Sequence, residues 1–178
     1  DLHSFPTRRS SDLAILIVYE AGNVAFNGAL ESLDATSNTV AIEISDGKIA
    51  SSQEVDGAVF TIDVANKTLK SASGKYIGIS SNSNGLKQID DASAYANTFA
   101  IDDAGNAVIA AAFEGSTMSL RYNKASNQAR FRYYKNAGQE AIALYKKVET
   151  SEPVTPDPEP ATWTYRDFAV NLTDANIF

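Results

Sequence analysis

Cysteine is absent from this sequence, and histidine occurs once, at His3. The first absence excludes disulfides, thiolate nucleophiles and Cys-ligated zinc, and it leaves the redox compartment open. Proline is missing from the whole stretch 14–148, whereas four of the five prolines crowd into 149–161. No apolar run approaches the roughly 20 residues that a membrane-spanning helix needs. The lone tryptophan, Trp163, lies beyond the prolines.

Residues 1–13 resemble the conceptual translation of a short-read sequencing adapter, matched without a break. On this reading the segment is not native protein and stands outside any fold argument. The natural chain then starts at Leu13 or Ala14 as an open-ended fragment. His3, Pro6, Arg8 and Arg9 lose any functional meaning. With His3 set aside, imidazole proton shuttles, Ser-His-Asp triads and most zinc sites are excluded as well.

The net charge of −7 is unevenly placed. Residues 14–148 hold 14 acids and 12 bases, while 149–178 hold six acids against Arg166 alone. The acidity is a tail property. Residues 149–161, with prolines alternating among acidic and hydroxyl residues, read as an extended, solvated linker. Residues 162–178 read as the truncated start of a further domain, expected to be poorly ordered or docked opportunistically on the first.

The segment 14–148 reads as twelve short strands. They fall at 15–19, 24–27, 39–44, 59–63, 68–71, 76–80, 86–89, 98–102, 107–111, 118–122, 129–134 and 142–146, with 48–52 as a further candidate. These runs are rich in Val, Ile, Phe, Tyr and Thr, and Asp-Gly, Asn-Gly and Ala-Gly pairs bound them. Residues 107–113 have high helix propensity, but their flanking turns favour a strand. Asn84-Gly85 reads as a hairpin turn needing positive φ.

The strands repeat. Phe60-Thr-Ile62, Phe99-Ala-Ile101 and Ile142-Ala-Leu144 share an apolar-x-apolar pattern at spacings of 39 and 43 residues. Each follows a matched strand: Val24-Ala-Phe26, Ile77-Gly-Ile79 and Leu120-Arg-Tyr122. Three units of four strands (14–63, 67–102 and 106–146) fit a β-trefoil-like closed barrel in which 142–146 pairs with 15–19. Another β-barrel or a β-sandwich remains open. The trefoil reading places Leu16, Val18, Phe60, Ile62, Phe99, Ile101, Ile142 and Leu144 in the core.

The stretch from Leu16 to Gly28, with Gly74-Lys-Tyr-Ile-Gly78, Leu120-Arg-Tyr-Asn123 and Arg130-Phe-Arg-Tyr-Tyr-Lys135, resembles an accessory β-module of secreted and surface multidomain proteins of Bacteroidota. The resemblance implies a secreted or cell-surface location, neighbouring domains in the same chain and a non-catalytic role. It brings no ligand residues. The Gln-x-Trp motif of ricin-type lectins is absent, so their sugar subsites do not carry over.

Chemistry is sparse. Asp46, Asp56, Asp90, Asp91, Asp102 and Asp103 sit in or beside turns, where Asp serves backbone geometry before catalysis. Asp102, Asp103 and Asn106 lack the alternating spacing of a calcium loop. No metal and no cofactor is implied. Ser81-Asn-Ser-Asn-Gly85 offers hydrogen bonds to a polar ligand, besides its turn reading.

Residues 121–147 carry seven bases against Glu140, interleaved with Tyr122, Phe131, Tyr133, Tyr134 and Tyr145. Strand alternation puts Phe131 and Tyr133 on one face and Arg130, Arg132 and Tyr134 on the other. Arg130, Arg132, Tyr134, Tyr122, Asn123 and Lys135 are therefore the candidate ligand-binding residues. Their chemistry suits a polysaccharide or other polyanion, with nucleic acid as a weaker variant. A solvated strand face over a structural spacer domain is the competing reading.

Overall fold

The structure, a computed structural model, describes residues 12–148 and 162–164. In chain order the strands begin with β1 (Asp12–Tyr19), β2 (Val24–Phe26), β3 (Thr39–Ala41), β4 (Ile44–Ser45) and β5 (Lys48–Ala50). A five-residue helix, α1 (Gln53–Gly57), precedes β6 (Phe60–Asp63), β7 (Thr68–Ser71), β8 (Tyr76–Gly78) and β9 (Lys87–Ile89). Then come β10 (Asn97–Ile101), β11 (Ala107–Phe113), β12 (Ser116–Asn123), β13 (Arg130–Tyr134), β14 (Ala143–Val148) and β15 (Thr162–Thr164).

The fold is all-β, and every pairing is antiparallel. A large curled sheet runs β4-β5-β15-β14-β1-β6-β7-β8-β9, with β2 and β3 branching from β1. A second sheet runs β10-β11-β12-β13. Isolated bridges join the two at Ala107–Ile142, Tyr122–Glu140 and Gly85–Tyr133. The Asn97 amide also donates to the Lys67 carbonyl at 2.8 Å, just ahead of β7. Each of the twelve expected runs overlaps a strand, although 39–44 is split between β3 and β4, and Ala107–Phe113 is a strand paired on both sides. Its neighbours' ladders, not its own propensity, decide its conformation.

Two expectations are corrected. The first concerns the core. Ile15, Leu16, Ile17 and Val18 are all fully buried, so β1 has two buried faces. Ile15 and Ile17 face the main core with Phe60, Ile62, Phe99, Ile142 and Leu144. Leu16 and Val18, expected among them, join a second cluster with Ile42, Ile49, Val55 and Tyr145. The excursion through β4, β5 and α1 packs over the outer face of β1 and β14. A strand with both faces covered reads as a continuous apolar run, which hides its register.

The second concerns turns. Asp46 and Gly47 adopt φ of 52° and 72° between β4 and β5, as a two-residue hairpin loop requires. Asn84-Gly85 makes no such turn. Gly85 instead exchanges backbone hydrogen bonds with Tyr133 at 3.0 and 3.1 Å, tying its loop to β13. Gly28 marks another close approach: a Cβ there would stand 2.3 Å from the Val59 carbonyl oxygen.

Two fully buried asparagines link distant segments. Asn38 Nδ2 donates to the carbonyls of Leu33 and Phe131, and its Oδ1 accepts from the Phe131 amide. Asn97 Nδ2 donates to the Ile77 carbonyl, while its Oδ1 accepts from the Tyr133 hydroxyl at 2.6 Å. Both amides satisfy backbone groups that burial would otherwise leave without partners. Asn38 thereby holds the 28–38 loop beside β13, where the candidate site lies.

A candidate anion- and polyol-binding face on β12 and β13

β12 and β13 pair Arg121 with Arg132, Asn123 with Arg130, and Tyr122 with Phe131. Alternation sends Phe131 and Tyr133 into the core, where both are fully buried. Arg121, Arg130 and Arg132 stand on the opposite face. Placing two like charges directly across a ladder is unfavourable, so this face needs compensation.

Part of the compensation is Asp34. Its two carboxylate oxygens accept from Arg132 Nε at 2.7 Å and Nη2 at 2.9 Å, a forked pair across 98 residues of sequence. The fork raises the Arg132 pKa further above its ordinary value. Arg121 donates to the Gln139 carbonyl and Arg130 to Gln128 Oε1. Arg130 Nε is buried and has no hydrogen-bond partner among the described residues. Asp34 thus engages Arg132, while the charge of Arg121 acts on Asp102.

The other candidates divide. Tyr134 is buried beside this face, and burial raises its pKa while Asn123 and the two nearby arginines oppose the shift. Asn123 Oδ1 also accepts from the Ala125 amide. Lys135 is exposed, and its amide donates to Asn84 Oδ1 at 2.9 Å. Tyr122 lies on the opposite face from the arginines: it is core, stacked on Tyr19 at 4.7 Å and packed against Phe131. Burial raises its pKa too. The structure brings Arg130, Arg132, Tyr134 and Asn123 together, with Lys135 at the strand's end, and leaves Tyr122 out.

The Ser81–Gly85 stretch joins them. Tied to β13 through Gly85, it makes one wall of a cleft of about 230 Å3 whose other wall is the Asp34–Arg132 pair. Ser80, Ser81, Ser83, Asn84 and Lys87 supply further polar lining, beside Ile79 and Leu86. Hydroxyls, an amide, a forked carboxylate–guanidinium pair and a lysine can serve hydroxyl and anionic groups together. The volume is below the usual 300–1,000 Å3 of drug-sized pockets and suits a single ring of a larger ligand. Asp34 was invisible in the sequence as a site residue, because only the 28–38 loop's fold brings it to β13. Arg121 had a signal: it is opposite Arg132 once the hairpin is registered.

A larger cleft, about 700 Å3, lies over β6, β7 and β8, with Asp63, Lys70 and Tyr76 in its lining. Its groups are engaged with one another. Asp63 accepts twice from Asn66, and Lys70 Nζ rests 5.3 Å from the centre of the Tyr76 ring. Size alone favours it, but the buried, unpartnered Arg130 Nε favours the β12–β13 face.

Of the aspartates expected in turns, Asp91 and Asp102 act there, whereas Asp56 lies in α1 and accepts from the Ser51 hydroxyl. Asp102 accepts from the Asn106 and Ala104 amides, and the first of these bonds leads in lowering its pKa. Asp91 is lowered first by the Ser93 hydroxyl and then by the Ser93 amide. Among the described residues no group of three or more His, Cys, Asp or Glu is placed to hold a metal ion, and no helix is long and apolar enough to cross a membrane. No family model matches the chain, and no curated protein or solved structure matches it.

Proposed function

We propose that this domain is a non-catalytic binding module of a secreted multidomain protein, of the Bacteroidota accessory type its sequence resembles. It recognises an anionic glycan through the outer face of β12 and β13. The observation that carries this reading is the cross-strand Arg121–Arg132 like-charge pair, flanked by Arg130, in which Asp34 is forked to Arg132 and Asp102 acts on Arg121 only through its charge. A bound carboxylate or sulfate would relieve that repulsion, and the hydroxyl-lined cleft beside it would take the attached sugar ring.

We further read the barrel as a closed, three-unit trefoil. Full ladders join β14 to β1, β1 to β6, β6 to β7 and β10 to β11. Single backbone contacts support the two remaining seams, Lys67 to Asn97 and Ala107 to Ile142. In this arrangement the third unit carries the ligand face.

The test is a variant with Arg121→Gln and Arg130→Gln, which leaves the Asp34–Arg132 fork intact. Binding to uronic and sulfated polysaccharides, with a neutral polysaccharide as control, is measured at low and moderate salt. The double variant is expected to bind at least tenfold more weakly and with a shallower salt dependence. Unchanged affinity would remove this face as the site. Failure of the unaltered protein to bind any polymer would favour the spacer reading, which the Asp34–Arg132 fork and the core position of Tyr122 also support.

A further inference from the structure

β5 and β14 do not pair with each other. A gap one strand wide separates them, and β15 fills it, matching Thr162, Trp163 and Thr164 to Ala50, Ile49 and Lys48 on one side. On the other side the same residues match Val148, Lys147 and Lys146. Both walls are anchored from elsewhere. Ile49 of β5 and Tyr145 of β14 are each 1% exposed within the second hydrophobic cluster, and β14 is laddered to β1. The slot is therefore built by the domain, and an unfilled slot would present two bare strand edges facing each other.

From this we infer that the β5–β14 gap is a peptide-binding site of the strand-addition type, whose ligand is the chain's own segment after the proline-rich linker. Main-chain hydrogen bonds to two edges supply the attachment, in the manner of β-augmentation. Charge adds weakly to that pairing: the slot's walls carry Lys48, Lys146 and Lys147, and the stretch 159–167 holds Glu159 and Asp167 against Arg166. The 13 residues of 149–161 tether the strand to its own slot at high effective concentration, so filling in cis outcompetes a second copy. The domain thus grips the segment leading onward from the linker. The inference is independent of the glycan reading.

The test uses the full chain and a Trp163→Pro variant, which removes a backbone donor from the middle of the inserted strand. Amide hydrogen exchange is followed over 48–50 and 146–148. The substitution is expected to speed exchange in both walls at least tenfold while the β10–β13 sheet keeps its protection. A synthetic peptide of residues 159–167 added in trans is expected to restore protection, and less so at high salt. Equal wall protection in the two proteins would overturn the proposal, as would a variant whose walls stay open at saturating peptide. Protection that depends on protein concentration would also overturn it, by making the occupant a second copy.

Discussion

The Tyr133 hydroxyl gives the sharpest test of the core. Tyr133 and Asn97 are both fully buried, and the hydroxyl donates to Asn97 Oδ1 at 2.6 Å. Tyr133→Phe keeps the ring's packing and leaves that oxygen without its donor. An orphaned buried acceptor costs about 1–3 kcal/mol, so a loss near ~2 kcal/mol is expected at pH 7. The pH dependence adds a second constraint. Burial raises the Tyr133 pKa far beyond its ordinary value of 10.0, an effect that the Asn97 bond opposes only in part. The unfolded phenol ionises near 10, so above that pH the unfolded state binds fewer protons than the native state. Stability must then fall as pH rises, by roughly 1.4 kcal/mol per unit from this one group. The Phe variant has no such group, while Tyr122 and Tyr134 contribute equally to both proteins. The gap between the two proteins should shrink from about 2 kcal/mol at pH 7 to about 0.6 kcal/mol at pH 11. Urea unfolding of both proteins across that range, with equal m-values, measures it. A gap that stays constant to pH 11 would refute the claim that this hydroxyl is sealed from solvent. A gap near zero at pH 7 would refute its role as a structural donor.

Asn38→Ala removes three hydrogen bonds at a fully buried site and frees the 28–38 loop, so a loss of about 3 kcal/mol is expected in the same unfolding assay. Gly28→Ala drives a Cβ against the Val59 and Ala58 carbonyl oxygens at 2.3 and 2.9 Å, a backbone collision that should cost at least about 1–3 kcal/mol, read as a lowered thermal midpoint. A double-mutant cycle of Asp34→Ala with Arg132→Ala should give a coupling of about 1 kcal/mol that weakens as salt rises, because the forked pair is about one-quarter exposed on each side.

Strand positions were legible because their signals are local: β-branched and aromatic runs between turn residues. What failed depends on contacts distant in sequence. Asn84-Gly85 has the composition of a hairpin turn, yet the β13 edge recruits Gly85 into a bridge. β1 reads as one apolar run, and only the later fold of β4, β5 and α1 decides that Leu16 and Val18 face a second core. The slot filled by β15 is a relation among three segments, and none of them announces it alone.

The same distinction governs the site. Alternation along Arg130–Tyr134 correctly separated Phe131 and Tyr133 from the arginines, since a two-residue period is a property of the strand itself. It could not place Tyr122, which belongs to another strand and follows the phase of β12, where its partner is Phe131. Nor could it supply Asp34, whose meeting with Arg132 requires a loop held down by the buried Asn38. Asp34 also changes what the basic face is. Without it, three arginines would form a diffuse positive patch, attractive to any polyanion. With it, one guanidinium is fixed in orientation, and a carboxylate acceptor stands beside the donors. A fixed donor–acceptor pair next to serine hydroxyls can discriminate among sugars in a way that net charge cannot. On the proposed glycan reading, the fold's contribution to recognition is the meeting of Asp34 with Arg132, which the sequence alone does not show.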